Sequence, residues 1–123
     1  MTRIGNKKRG AEIIESLWGP QAPPSETFKE MNALTNDYLF GTIWDRQGLR
    51  LRDRCMITVA TLTTLGRERN LATHLRGALK AGVTRDEIIE MMVHIAHYAG
   101  WPAGMTGLRI AEEIFAELDR SKV

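Results

Sequence analysis

Apolar residues recur every three or four positions along most of the chain, which is the spacing of one face of an α-helix. The first such stretch carries Ile13, Ile14 and Leu17 and stops at Gly19–Pro20, a pair that interrupts helices. Pro23–Pro24 then favours an extended segment. The pattern therefore predicts a short first helix followed by a rigid connection.

A second helix is predicted from Ser25, whose hydroxyl can cap a helix start, to about Phe40, where Gly41 is expected to end it. Trp44 and Gly48 fall in the connection that follows. The apolar positions at helical spacing, which we expect to face inward, are Phe28, Met31, Leu34, Tyr38 and Leu39.

The segment from Leu51 to Leu65 contains β-prone residues, including Ile57, Thr58 and Val59, and a strand is the alternative there. We interpret it as a helix. It is too long for a usual strand, and its apolar residues do not alternate with polar ones. Gly66 also supplies a helix stop.

Three more helices are predicted in the second half. The fourth ends before Gly82, the fifth starts with the capping box Thr84–Glu87 and runs to about Ala99, and the sixth spans roughly Ala103 to Leu118. The expected inward residues are Leu71, Leu75, Ala78, Leu79, Ile88, Met92, Ile95, Ala96, Leu108, Ala111, Ile114, Phe115 and Leu118. The sequence thus predicts an all-α fold, a single domain over 1–123 with about six helices.

Composition and charge exclude some classes of function. Seventeen Lys and Arg against 15 Asp and Glu give a net charge of +2, so a nucleic-acid partner is not indicated. Neither a secretory leader nor a membrane-spanning run is recognisable, and with Cys55 as the single cysteine a cytoplasmic protein is expected. At 123 residues, burial of a helical face against further copies makes a homo-oligomer the expectation.

His74 is the first candidate for proton transfer. Arg67 and Arg76 lie near it in sequence, and cations nearby lower the pKa of an imidazole, which favours the neutral form at pH 7. A histidine that merely bonds a backbone carbonyl is the alternative.

Glu90, His94 and His97 share one helix face and could in principle hold a metal. However, seven residues place the outer two about 10 Å apart along a helix, too far for a single ion. We therefore expect no metal. His94 and Tyr98, one turn apart, are better interpreted as a hydrogen-bonding pair lining a pocket, with ordinary packing near a helix end as the alternative.

Arg50, Arg52 and Arg54 could hold an anionic substrate, because a guanidinium matches a carboxylate with two parallel hydrogen bonds. Ion pairs with Asp45 and Asp53, or a solvated face, are the alternatives. Cys55 could be a nucleophile beside Arg54, although a core residue is the simpler interpretation. Neither glycine-rich phosphate motif occurs, and no nucleotide cofactor is expected.

Several motifs in order resemble the carboxymuconolactone decarboxylase family over nearly the whole chain. They are Trp44–Asp45–Arg46–Gln47–Gly48–Leu49, Arg52, Arg54, Leu65–Gly66–Arg67, Thr73–His74–Leu75–Arg76, Ala81–Gly82–Val83–Thr84, Glu87, His94 and Tyr98–Ala99–Gly100–Trp101–Pro102–Ala103. Arg9–Gly10, Glu15 and Leu17–Trp18–Gly19 are similar to the opening of its γ-carboxymuconolactone decarboxylase branch.

The resemblance implies the all-helical alkylhydroperoxidase D-like fold. The peroxidase branch of that fold carries C-x-x-C-x-x-x-H, and here Arg67 and Asn70 stand where its cysteines would be, so disulfide-exchange chemistry is not expected. Cys55 stands near a position where many relatives have glutamate. His97 replaces the usual aliphatic residue, which suggests a pocket adapted to a different substrate.

The implied reaction is loss of carbon dioxide from γ-carboxymuconolactone to give 3-oxoadipate enol-lactone, in protocatechuate breakdown and without a cofactor. The resemblance implies proton delivery by His74, with His94 and Tyr98 as pocket or oxyanion donors. The expected anion binders are Arg52, Arg54 and Arg76, and the expected apolar walls are Trp44 and Trp101. A hexamer built as a trimer of dimers is also implied. The alternatives are a decarboxylase or isomerase for another lactone or β-keto acid, and a non-catalytic oligomeric scaffold.

Overall fold

The computed structural model describes residues 6–122, and this range is mainly helical, with no strand. It contains α1 (Lys7–Trp18), α2 (Lys29–Leu34), α3 (Leu51–Leu65), α4 (Glu68–Lys80), α5 (Arg85–Ala99) and α6 (Trp101–Arg120). A 3₁₀ turn, Glu26–Phe28, precedes α2, and a π-helix, Thr35–Ile43, continues it. The all-α prediction is confirmed. None of the described helices is long and apolar enough to cross a membrane.

The chain forms two compact units, divided between Leu51 and Arg52. The sequence predicted a single domain over 1–123. Both ends of that domain, in residues 1–5 and at residue 123, lie outside the described range. In the first unit α1 packs against the π-helix. The Asn36 Nδ2 atom donates a hydrogen bond to the Lys7 carbonyl oxygen at 3.0 Å, and the Asn6 amide donates to the Asp37 carbonyl oxygen at 2.6 Å.

Gly41 does not end the second helix, which is a correction to the sequence prediction. It lies buried inside the π-helix, where a Cβ atom would overlap the Asn6 backbone; on α1, a Cβ atom at Gly10 would likewise overlap the Asn36 backbone. Glycine is therefore present at these two positions because the backbones touch. Ser25 precedes the 3₁₀ turn but makes no side-chain capping bond.

The predicted inward face of the second helix is also wrong. Phe28, Met31 and Leu34 are 64%, 64% and 59% exposed, and Tyr38 and Leu39 are exposed as well. The inward residues of the π-helix are instead Phe40 and Gly41. For Tyr38 and Leu39 the reason is geometric, because the wider turn of the π-helix breaks the 3.6-residue repeat on which the prediction relied. Phe28, Met31 and Leu34 precede the π-helix, on two elements that bury no residue.

The second unit contains α3 from Arg52 onward and α4 to α6, and its core agrees with the sequence prediction. The bounds of α3 are those predicted, and the capping box of α5 is present. The Thr63 hydroxyl lies 3.8 Å from Met92 Sδ, and both side chains face Gly107 on α6. Because Gly104 and Gly107 lack side chains, α6 packs closely against α5. The largest fully buried side chains of the unit are Leu71, Leu75, Ile88, Met92, Val59, Val83 and Cys55.

Candidate active site

An open groove of about 350 Å³ lies between α3 and α5 in the second unit. It is lined by Met56, Ala60, Glu87, Glu90, Met91, His94 and Ile95. The five α5 residues are spaced at three or four positions and so follow one helix face. The exposed surface of the groove is mostly apolar. Its polar groups, two carboxylates and one imidazole, come from α5. Such a groove fits a small molecule with an apolar body and a few polar groups.

His94 and Tyr98 form a ring stack at the end of α5. Their ring centroids are 5.0 Å apart with an interplanar angle of 30°. The sequence predicted that these residues interact through a hydrogen bond, but the contact is between ring faces. Tyr98 is 83% exposed, so its hydroxyl is accessible, while His94 is the member of the pair that lines the groove.

His97 and Trp101 form a separate ring contact and are not among the groove-lining residues. The His97 Nδ1 atom is 2.7 Å from the Val93 carbonyl oxygen, and its ring meets the Trp101 ring edge-on at 5.5 Å. A carbonyl oxygen only accepts, so Nδ1 carries the proton, which leaves Nε2 as the acceptor of the neutral ring. In residues 6–122 no three His, Cys, Asp or Glu side chains converge as a metal site would require.

Arg52, predicted to bind an anion, is held at one end of the groove. One of its terminal nitrogens contacts both carboxylate oxygens of Glu87, and the other lies 3.4 Å from Met56 Sδ. The Glu87 carboxylate also accepts a hydrogen bond from the Thr84 amide at 2.9 Å. The Thr84 amide and, second, the Arg52 guanidinium lower the pKa of Glu87 to about 2. Both partners favour the ionised carboxylate.

Like Arg52 itself, the other predicted anion binders, Arg54 and Arg76, are not among the groove-lining residues. Arg76 on α4 forms a two-pronged ion pair with Glu117 on α6, at 2.7 and 3.0 Å. Arg54 is half-buried in the first turn of α3. Asp45, considered as a partner for the arginine cluster, binds Arg9 at 2.8 Å.

His74 is half-buried on α4, beside the buried residues Leu71 and Ala78, and is not among the groove-lining residues. Its pKa is lowered, in the direction that the sequence predicted, but the cause is burial rather than nearby cations. Burial penalises the charged imidazolium. Burial of His74 therefore favours its neutral imidazole.

Cys55 is a core residue with 2% exposure, and burial raises the pKa of its thiol to about 11. The thiol stays protonated at neutral pH, which disfavours nucleophilic attack. Trp44 is half-buried and packs on Phe40 at 4.9 Å within the first unit, while Phe40 meets Trp18 at 5.6 Å. Trp101 is 61% exposed at the start of α6.

Sequence reasoning missed most of the groove. Glu87 was identified as a capping residue, and Met56 and Met91 were not singled out for a site. The available signal was the spacing of Glu87, Glu90, Met91 and His94 on α5, which places them together on a helix face away from Ile88 and Met92. The α3 residues opposite that face, Met56 and Ala60, could not be found from the spacing of apolar residues.

Comparison with known proteins identifies the family. The profile of the carboxymuconolactone decarboxylase family matches residues 29–113. The chain belongs to this family. It is 34% identical over 118 residues to a 4-carboxymuconolactone decarboxylase of Acinetobacter baylyi, which covers 90% of this chain and 87% of that protein. It is also 28% identical over 109 residues to a nitrosuccinic acid decarboxylase of Metarhizium robertsii, covering 89% of this chain and 74% of that one.

Proposed function

We propose that this protein is a carboxy-lyase that decarboxylates γ-carboxymuconolactone to 3-oxoadipate enol-lactone without a cofactor, in the breakdown of aromatic compounds. The observation that carries the proposal is the 34% identity to a 4-carboxymuconolactone decarboxylase over 90% of the chain. The second relative is also a decarboxylase, which supports the reaction type independently of the substrate.

The substrate can supply its own electron sink. When the bond between the ring carbon and the departing carboxylate breaks, its electron pair spreads through the ring double bond to the lactone carbonyl and forms a dienolate. One proton then returns to carbon, and carbon dioxide and the enol-lactone are released. The protein must therefore hold the retained carboxylate, stabilise the developing oxyanion and deliver one proton.

The α3–α5 groove offers groups for these tasks. Met56 and Met91 form an apolar wall, against which a carboxylate is poorly solvated and its loss as neutral carbon dioxide is favoured. His94 lines the same groove, and an imidazole can donate a proton near neutral pH. We therefore propose His94 as the proton donor. His74, the donor implied by the family resemblance, is the alternative that mutagenesis must separate from it.

We also propose a homo-oligomer, with the hexamer implied by the resemblance as its form. Support comes from the exposed apolar side chains of Phe28 in the 3₁₀ turn and of Met31 and Leu34 on α2, because clustered exposed apolar residues are typical of a surface that binds another protein. Light scattering should give a mass several times 13.9 kDa. A stable monomer at micromolar concentration would contradict this proposal.

A second candidate is decarboxylation of a different small carboxylic acid. The similarity to a nitrosuccinic acid decarboxylase favours it, since two substrates are already represented among the relatives. The same groove would serve both reactions.

The deciding experiment compares kcat/KM of the purified protein for γ-carboxymuconolactone and for nitrosuccinate under identical conditions. We expect the lactone to be preferred. Preference for nitrosuccinate would select the second candidate, and turnover of neither substrate by folded protein would favour the scaffold alternative. A peroxide-reduction assay serves as a control for the peroxidase chemistry of the fold.

A further inference from the structure

Glu87 and Arg52, which approach the groove from different helices, form one connected set of contacts with the start of α5. Glu87 belongs to α5, and its carboxylate caps that helix through the Thr84 amide at 2.9 Å. The same carboxylate contacts Arg52, which lies in the first turn of α3. One side chain thus fixes both a helix start and the position of a guanidinium.

Arg52 is placed where a ligand in the groove could reach it. It contacts Glu87 and Met56, both of which line the groove, and its side chain remains 30% exposed. None of the seven described lining residues is itself a Lys or an Arg. An arginine has five N–H donors, and the contacts with Glu87 and Met56 leave some of them for a ligand.

Because the charges around the groove nearly cancel, the orientation of hydrogen-bond donors matters more for binding an anion than net electrostatic attraction does. Glu87 and Glu90 bring two carboxylates, and Arg52 brings one guanidinium, so their sum is not positive. An anionic ligand then gains little from the overall field. Its binding depends on hydrogen bonds from a guanidinium held in the correct orientation, which is the property that distinguishes arginine from lysine at such sites.

We propose that Glu87 is a positioning residue that orients Arg52 at the end of the groove to bind the carboxylate that the substrate retains. This inference rests on the proposed function for the identity of the substrate. The inference adds separate roles for Arg52 and Glu87 to the proposed function. Arg52 touches the ligand, and Glu87 acts through Arg52 while serving as the cap of α5.

Glu87→Gln separates the two roles of this residue. Glutamine can keep the capping bond, because its amide oxygen accepts from the Thr84 amide, whereas the anionic partner of Arg52 is lost. We expect KM for the lactone to rise by roughly tenfold, with kcat within about twofold and little change in thermal midpoint. Asp86→Asn, which removes one exposed carboxylate from the same helical turn, is the matched control and should leave both constants unchanged.

Arg52→Ala should raise KM by about 10- to 100-fold, and adding Glu87→Gln to it should have no further effect. Additive effects of the two substitutions would overturn the proposal. So would an unchanged or lower KM in Glu87→Gln, because that result would mean that Glu87 merely neutralises Arg52.

A second measurement keeps this test separate from the test of the reaction. If the wild-type protein does not turn over the lactone, the proposed function fails, and calorimetric titration with adipate, a simple dicarboxylate, decides the positioning role. Weaker adipate binding in Arg52→Ala and Glu87→Gln, with Asp86→Asn unchanged, would support the role. Equal binding in all four proteins, or no binding to any of them, would overturn it.

Discussion

Arg76 and Glu117 form a two-pronged ion pair that joins α4 to α6, with the Arg76 Nε and Nη2 atoms 2.7 and 3.0 Å from the two carboxylate oxygens. This contact uses the fork of the guanidinium, the feature that made Arg76 a candidate for anion binding. Glu117 raises the pKa of Arg76, and Arg76 lowers that of Glu117, so both groups are charged at neutral pH. The geometry is that of a structural pair between helices.

Arg76→Ala should therefore affect stability rather than substrate binding. We expect a fall in thermal midpoint of no more than about 4 °C, because a partly exposed ion pair contributes little, and a KM within about twofold of the wild-type value. Glu117→Ala should behave in the same way. A tenfold rise in KM for Arg76→Ala alone would return this residue to the list of substrate ligands.

The packing of α6 on α5 gives a prediction about stability. A Cβ atom at Gly104 would lie 2.6 Å from Ala96 Cβ and 2.9 Å from the Met92 carbonyl oxygen, and a backbone atom cannot move aside easily. Gly104→Ala should lower the free energy of unfolding by about 2 kcal/mol, the overpacking cost less the gain in helix propensity.

Gly48→Ala is the matched control for that substitution, since nothing lies within 4 Å of its added Cβ atom. Its free energy of unfolding should change by no more than about 0.5 kcal/mol. Equal effects of the two substitutions in urea denaturation would contradict the described contact between α5 and α6.

The capping carboxylate gives a prediction about pH. The pKa of Glu87 is lowered from 4.5 to about 2 in the folded chain, so its partners contribute stability that is fully present above pH 4.5 and is lost as the pH falls toward 2. Near neutral pH the thermal midpoint of wild type should exceed that of Glu87→Gln. This margin should be small, because Gln keeps the capping bond to the Thr84 amide. This margin should disappear at about pH 2, where the protonated carboxyl resembles Gln. A margin that stays constant from neutral to acid pH would contradict the contacts of Glu87.

The two halves of the fold differed in how well the sequence predicted them, for a physical reason. The capping box at Thr84 and the stop at Gly66 are local signals, and they placed the helix start and end correctly. Gly41 has the same local signature as a helix stop. Its actual role is set by contact with the Asn6 backbone, and periodicity carries no information about that contact.

The candidate site shows the same division between local and long-range information. His94 and Tyr98 are one helical turn apart, so their contact was predictable, although its ring-stacked geometry was not. The link between Arg52 and Glu87 spans 35 positions in sequence, and the sequence suggested nearby aspartates as the partners of Arg52 instead. Family resemblance identified Arg52 and Glu87 separately. The structure shows that they act on each other.

The choice between the two imidazoles can be tested by parallel substitution. His94→Gln should lower kcat by about 10²–10⁴-fold, the usual contribution of general acid catalysis, because His94 lines the groove. His74→Gln should lower kcat less than tenfold, roughly the effect of a residue that does not exchange the proton itself. Circular dichroism should show intact helices in both variants. The reverse ranking would place the proton donor on α4 and remove the reaction from the α3–α5 groove.

The most direct test of the central claim is the amount of carbon dioxide released when the purified protein consumes γ-carboxymuconolactone. The proposed reaction predicts that one carbon dioxide and one enol-lactone form for each lactone lost, with the same rate after dialysis against a chelator. Lactone loss without carbon dioxide would indicate an isomerase or a hydrolase. No lactone loss with folded protein would contradict the proposed function.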